Sequence, residues 1–224
     1  MYETTYRSAT QINEAMGRVY GHMSIAVLVS MAVSYFVGNS PELLQFFFTG
    51  ITKWIVIFSP LVVLLVMSFA TEKFNKSQLQ LFLYGFSGLM GLSFATIFAV
   101  FTMGSIFTAF MGAVVLFGTM SFYGYFSKRD LTGIGQFMIV GLIAIIIASI
   151  INVFIGSTIM QMVISAMSII IFLGLTAYDT QDIRKLVTAR TDTGREEVLG
   201  ALRLYMNFIN LFLSLLQLFG DRRQ

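Results

Sequence analysis

Seven apolar runs, each of roughly 20 residues, dominate this chain, and that is the length the hydrocarbon core of a bilayer asks of a helix. They fall at 20–39, 51–70, 79–101, 105–126, 134–155, 158–178 and 199–219. The polar stretches between them are short, and 11% of the residues are charged against 57% hydrophobic. A soluble domain holds about 25% charged residues. The runs therefore predict an all-α membrane protein, one transmembrane domain over 1–224 with seven spans. The run at 20–39 has no small-residue cleavage pattern after it and reads as a retained span rather than a leader. The weakest boundary is the break at 101–105. Without a turn there, spans three and four fuse and the count falls to six.

Basic residues orient the spans. Arg7, Arg18, Lys73, Lys76, Lys128, Arg129, Arg184, Lys185, Arg190 and Arg195 share one side, and Lys53, Arg222 and Arg223 the other. This ten-to-three asymmetry predicts a cytoplasmic N-terminus and a C-terminus outside, in a bacterial cytoplasmic (inner) membrane. Glycines at 85, 88, 91, 112, 118 and 174 read as points of close helix approach, and Pro60 predicts a kink in span two.

Several chemistries fall away. Cysteine is absent, which excludes disulfides, thiolate metal sites and a cysteine nucleophile. The basic residues never interleave with aromatics on one patch, so no nucleic-acid partner is expected. No His/Asp/Glu cluster has metal-ligand spacing, and no phosphate loop is present. GFSG at 85–88 matches the GxSG of intramembrane serine proteases, but the one histidine, His22, has nothing to orient it as a base, and helix packing is the stronger reading. No enzymatic activity, catalytic residue, fixed metal or cofactor is expected.

The chemistry concentrates late in the chain. The last run carries Arg203, Asn207, Asn210, Ser214 and Gln217 at i, i+4, i+7, i+11 and i+14. At about 100° per residue these form one stripe along an otherwise apolar helix. Such a stripe faces protein or water, because unpaired polar groups in hydrocarbon are costly. Just before it, in GLTAYDTQDIRKL, Asp179 stands where the apolar run of span six stops. It reads either as a helix-end carboxylate wetted by cytoplasm or as one turned inward against the stripe. Arg203 is a counter-charge for it or a snorkelling headgroup contact. Glu72 and Lys73, with Lys76, form a charged turn read first as a solvated loop and second as a gate contact.

AYDTQDI paired with LGALRLYMNFINLFLSLLQLFG resembles the transmembrane Bax inhibitor motif family, of the bacterial Bax inhibitor-1/YccA type. RVYGHM before span one and SFYGYFSKRDLTG at 121–133 are similar to bacterial members as well. The resemblance covers nearly the whole chain and implies helices surrounding a central seventh. It also implies a pH-modulated leak of calcium or other cations, or a regulator of membrane ion homeostasis. In the family, two aspartates sharing a proton form the proposed gate. Asp179 matches one, and the second position, in LYMNFINLF, is Asn207. A family basic residue at the end of span two corresponds to Lys73. On this basis Asp179 is expected as gate and cation contact, Asn207 as its hydrogen-bond partner, Arg203 as counter-charge and Asn210 as a lining group. Expected partners are the lipid bilayer and calcium or other cations, calcium being a transported or bound ion. The alternative is a non-conducting regulator that binds other membrane proteins, such as proteases or stress factors.

Overall fold

The computed structural model describes residues 7–70, 74–189 and 194–223. The charged turn at Glu72 and Lys73 lies outside them, and the side chain of Pro60, with its expected kink, lies outside the described side chains. The helices are α1 Ala9–Gly38, α2 Pro41–Phe48, α3 Thr52–Ala70, α4 Lys76–Phe94, α5 Ile97–Val100, α6 Met103–Phe126, α7 Thr132–Ile155, α8 Thr158–Thr188 and α9 Arg195–Phe219. Among the described residues there is no strand, only an isolated antiparallel bridge between Phe101 and Arg222.

Local chemistry sets the helix ends. Ser8 caps α1 and Asn75 caps α4, each in a reciprocal box with the glutamine three residues on, Gln11 and Gln78. The Ser8 box starts α1 eleven residues before the apolar run. Ser40 caps the short α2, whose first residue is Pro41. Gly156, left-handed at φ 69°, ends α7. α8 does not stop at Asp179 but runs to Thr188, so the carboxylate sits inside a helix rather than at its end.

The break at 101–105 is present. Phe101 leaves the helix in an extended conformation, and the Arg223 N–H donates to the Val100 carbonyl at 2.9 Å. Six helical segments among the described residues are long and apolar enough to cross a membrane: α1, the stretch Lys76–Val100, α6, α7, α8 and α9. α3, with 19 residues, coincides with the expected span at 51–70 but is not among the six. Much of its second half carries side chains outside the described set, so the seventh crossing rests on the apolar sequence alone. α9 is the most buried of the six, with 67% of its apolar window covered against 6% to 39% for the others.

The chain divides into two compact units. The first comprises residues 1–102, 189–205 and 222–224, and the second 103–188 and 206–221, so α9 contributes its first half to one and its second half to the other. In the first unit α1 packs along α4. A Cβ on Gly91 would lie 2.5 Å from the Ser30 carbonyl oxygen, so the two backbones touch and only glycine fits. The buried Ser30 hydroxyl bridges the seam, 3.0 Å from the Ser87 carbonyl and 2.6 Å from the Tyr205 hydroxyl.

In the second unit α8 packs on both α6 and α7. Gly124 of α6 lies against the backbone of Ala177, and Gly135 of α7 against the ring of Tyr178. Phe110 and Phe117 of α6 meet the Phe208 ring edge to face, at 5.6 and 5.7 Å between centroids. Of the six glycines expected at close approaches, Gly91 and Gly174 are there. Gly112 and Gly88 make ordinary or marginal contact, while beside Gly85 and Gly118 there is open space.

Candidate functional site

α8 carries its own polar stripe. Gln161, Ser165, Ser168, Thr176 and Asp179 stand at i, i+4, i+7, i+15 and i+18, which returns each to nearly the same direction at about 100° per residue. Ser165, Ser168, Thr176 and Asp179 are buried. The small partners explain how α8 reaches this depth, since Gly124 lets the backbone of α6 lie directly on Ala177. Beside this contact the Ser121 and Thr180 hydroxyls are 3.0 Å apart. One turn further, Gln181 fastens the loop before α7: its oxygen accepts from Leu131 N–H at 2.9 Å and its amide donates to the Arg129 carbonyl at 2.8 Å.

The two stripes meet through side chains within the second unit. At one end Asn207 Nδ2 donates to Asp179 Oδ2 at 2.6 Å, with both residues buried. At the other end Gln217 accepts from Gln161 Nε2 at 2.7 Å and from Ser165 Oγ at 3.2 Å. Between them the α9 stripe is satisfied by its own helix: Asn210 Nδ2 donates to the Met206 carbonyl and Ser214 Oγ to the Asn210 carbonyl. Among the described residues no buried side-chain nitrogen or oxygen lacks a hydrogen-bond partner. The structure thus brings together Asp179 and Asn207, leaves the half-buried Asn210 turned to its own backbone, and assigns Arg203 to the first unit.

A second buried carboxylate, in the first unit, was not singled out in the sequence. Glu197 is 2% exposed. Arg18 grips it with two bonds, Nε to Oε2 at 2.9 Å and a terminal nitrogen to Oε1 at 2.7 Å. Lys76 Nζ lies 3.2 Å from Oε2 and Arg7 3.8 Å from Oε1. The clamp ties the start of α9 to the starts of α1 and α4. A helical projection distinguishes Glu197 from its neighbour Glu196: Glu197, Ala201, Leu204, Tyr205 and Phe208 recur at i, i+4, i+7, i+8 and i+11 and are all buried.

Nearby, His22 Nδ1 is 2.7 Å from the Tyr84 hydroxyl, and its other nitrogen is 3.3 Å from the Gln80 amide. Ser87 Oγ donates to the Tyr84 carbonyl at 2.9 Å. The hydroxyl of the GFSG motif therefore bonds its own helix, and the imidazole bonds a phenol and an amide. Among the described residues no group of three His, Cys, Asp or Glu is placed to hold a metal ion.

One family model and at least three relatives match this chain. A family model described as "Inhibitor of apoptosis-promoting Bax1" matches residues 12–224. The chain is 37% identical over 214 residues to the inner membrane protein YbhL of Escherichia coli K12, a match covering 93% of this chain and 92% of that protein. It is 34% identical over 212 residues to the uncharacterized protein RP147 of Rickettsia prowazekii, covering 93% and 89%. It is also 35% identical over 216 residues to an uncharacterized protein of Borreliella burgdorferi, covering 94% and 93%.

Proposed function

The chain is an integral, multi-pass membrane protein of the Bax inhibitor-1 family, and from that premise we propose that it forms a leak pathway for calcium or other cations, gated at Asp179. The observation that carries this reading is the buried hydrogen bond from Asn207 to Asp179. An ionisable residue at membrane depth is a rare and costly thing to retain without a use. Here it ends a polar seam whose other end is Gln161, Ser165 and Gln217, a line of oxygens and amides of the kind hard cations accept. In this reading Asp179 is the cation contact, Asn207 its positioning partner and Asn210 a lining group. The protein is a non-enzymatic, cofactor-free protein of the bacterial inner membrane. Its α9 is the central one of seven spans, a role consistent with the burial of that helix.

The amide at 207 bears on pH. Two carboxylates in contact share a proton and titrate far apart, whereas an amide beside a carboxylate adds no like charge. The expected leak therefore depends weakly on pH between about 6 and 8. Calcium flux into liposomes holding the purified protein tests this across that range. Asn207→Asp is expected to steepen the pH dependence, and Asp179→Asn to abolish any pH response and change the basal flux. A parent that already switches steeply, with Asn207→Asp without effect, places the gate elsewhere. A protein that carries no flux but holds a membrane-protein partner tightly fits the non-conducting regulator instead.

The seven-span topology has its own test. A reporter fused after Gln224 is expected to be active only outside the cytoplasm. A cytoplasmic signal there, with a cytoplasmic N-terminus, removes one span.

A further inference from the structure

The first unit holds a recess of about 600 Å³ that the Asp179 seam does not use. Its lining comes from the early turns of α1 and α4. Gly17 and Gly21 stand four residues apart on α1, and a Cβ added to either would meet nothing within 4 Å, so this side of the recess is open space. Arg18 and Lys76 supply cations and Ile25 an apolar wall, with His22 and Gln80 bonded to each other alongside; Glu14 lines it too. The position is the level at which both helices pass from polar to apolar sequence. α1 is mixed as far as His22 and apolar beyond it, and α4 changes after Gln80.

The charge left over is positive. The recess itself is lined by the cations Arg18 and Lys76 and the one acid Glu14, and beside it Arg18, Lys76 and Arg7 meet the single carboxylate of Glu197. The clamp on Glu197 does not exhaust the donors either. A guanidinium has five N–H groups and an ammonium three, and the side chains of Arg18 and Lys76 remain 46% and 37% exposed.

We propose that this recess binds the phosphate headgroup of an anionic phospholipid, with Arg18 and Lys76 on the phosphate and Ile25 against the start of an acyl chain. A basic pocket between helix ends at the membrane surface is the setting in which anionic headgroups are held. The apolar wall one turn deeper than the cations favours a lipid over a free phosphate ion. The site stands independently of the proposed leak.

The test uses the full-length protein in detergent, mixed with phosphatidylglycerol or with phosphatidylcholine of the same acyl chains, and reads retained lipid by native mass spectrometry. Phosphatidylglycerol is expected to be retained in preference to phosphatidylcholine, and an excess of inorganic phosphate to leave it in place. Gly21→Leu sets its Cβ where nothing lies within 4 Å, extends into the recess, and is expected to remove the preference while leaving the unfolding temperature unchanged. Gly17→Leu repeats this one turn away should Gly21→Leu fail to fold. Lys76→Gln is expected to weaken retention about fivefold, the contribution of one basic residue at an anionic surface. Equal retention of the two lipids, or parent-like retention by the leucine variants, overturns the site. Displacement of phosphatidylglycerol by inorganic phosphate assigns the recess to a free anion and overturns the lipid.

Discussion

Glu197 and Asp179 are both buried carboxylates on or against α9, yet one accepts from a guanidinium and the other from an amide. Glu197 is clamped by two arginines and a lysine, whereas Asp179 accepts from the neutral amide of Asn207. A carboxylate inside a ring of cations is fixed in charge and in place. Its attraction to them offsets the cost of taking it out of water, and it holds three helix starts together. A carboxylate met by an amide keeps a hydrogen bond whichever way its charge goes, because the amide oxygen can accept where its nitrogen donated. The first is suited to holding a helix and the second to a group whose state changes. On α9, nine residues separate Glu197 from Asn207, the partner of Asp179.

The largest effect is expected at the clamp. Glu197→Gln keeps the shape and removes the charge, leaving Arg18, Arg7 and Lys76 to repel one another. A hydrogen bond to a charged group contributes about 1.5–3 kcal/mol. The cations here are partly exposed and regain water, so the net loss is expected near 2–3 kcal/mol rather than the 3–5 kcal/mol of a fully buried pair. Denaturant unfolding in detergent micelles measures it. Because Glu197 itself is buried, the difference between parent and variant should change little with added salt. A loss that vanishes at high salt means the carboxylate is wetted, and the contrast with an exposed ion pair fails.

A smaller change is expected at the other carboxylate. Asn207→Leu keeps approximate volume and removes the donor to Asp179. Side-chain hydrogen bonds inside membrane proteins contribute about 0.6–1.7 kcal/mol, so the stability loss should lie near 1 kcal/mol, below that of Glu197→Gln, while calcium flux in liposomes changes. If Asn207→Leu destabilises more than Glu197→Gln and leaves flux untouched, the two sites have exchanged roles.

What could be read in advance divides along the same line. Six of the seven expected spans were legible because a bilayer imposes length and apolarity on every crossing. The stripe on α9 was legible because its polar residues interrupt an apolar helix at the helical period. Glu197 was not singled out, because an acid ahead of an apolar run resembles a loop acid until the buried face of the helix is projected back through Ala201. The stripe on α8 was hidden by its serines and threonines, which are common in membrane helices and satisfy their own backbone, as Thr176 does with the Phe172 carbonyl. The Ser8–Gln11 box was in the sequence and would have started α1 earlier. Glycine was the least legible: nothing local separates Gly118, beside open space, from Gly124, on the backbone of α8. Which face meets a neighbour is decided by tertiary packing.

The smallest effect is expected at a third carboxylate, which isolates burial from charge. Asp130 accepts from Lys185 Nζ at 2.9 Å and from the hydroxyl and amide of Thr132 at 2.8 and 3.3 Å. The Lys185 bond first, then the two from Thr132, bring its pKa down to about 2. Both side chains of the pair are exposed, at 55% and 69%. A carboxylate with a depressed pKa contributes stability that is present above its unfolded value, about 4, and is lost as pH falls from there toward about 2. Between about pH 5 and 8 the contribution is therefore constant, and water and salt screen it to little. Asp130→Asn is expected to leave the unfolding midpoint unchanged over that range, with or without added salt. Glu197 and Asp130 are each held by a lysine and by further donors, so the number of partners does not separate them. A destabilisation by Asp130→Asn equal to that by Glu197→Gln shows that the charge pair itself carries the stability, and that the depth of Glu197 in the first unit adds nothing to it.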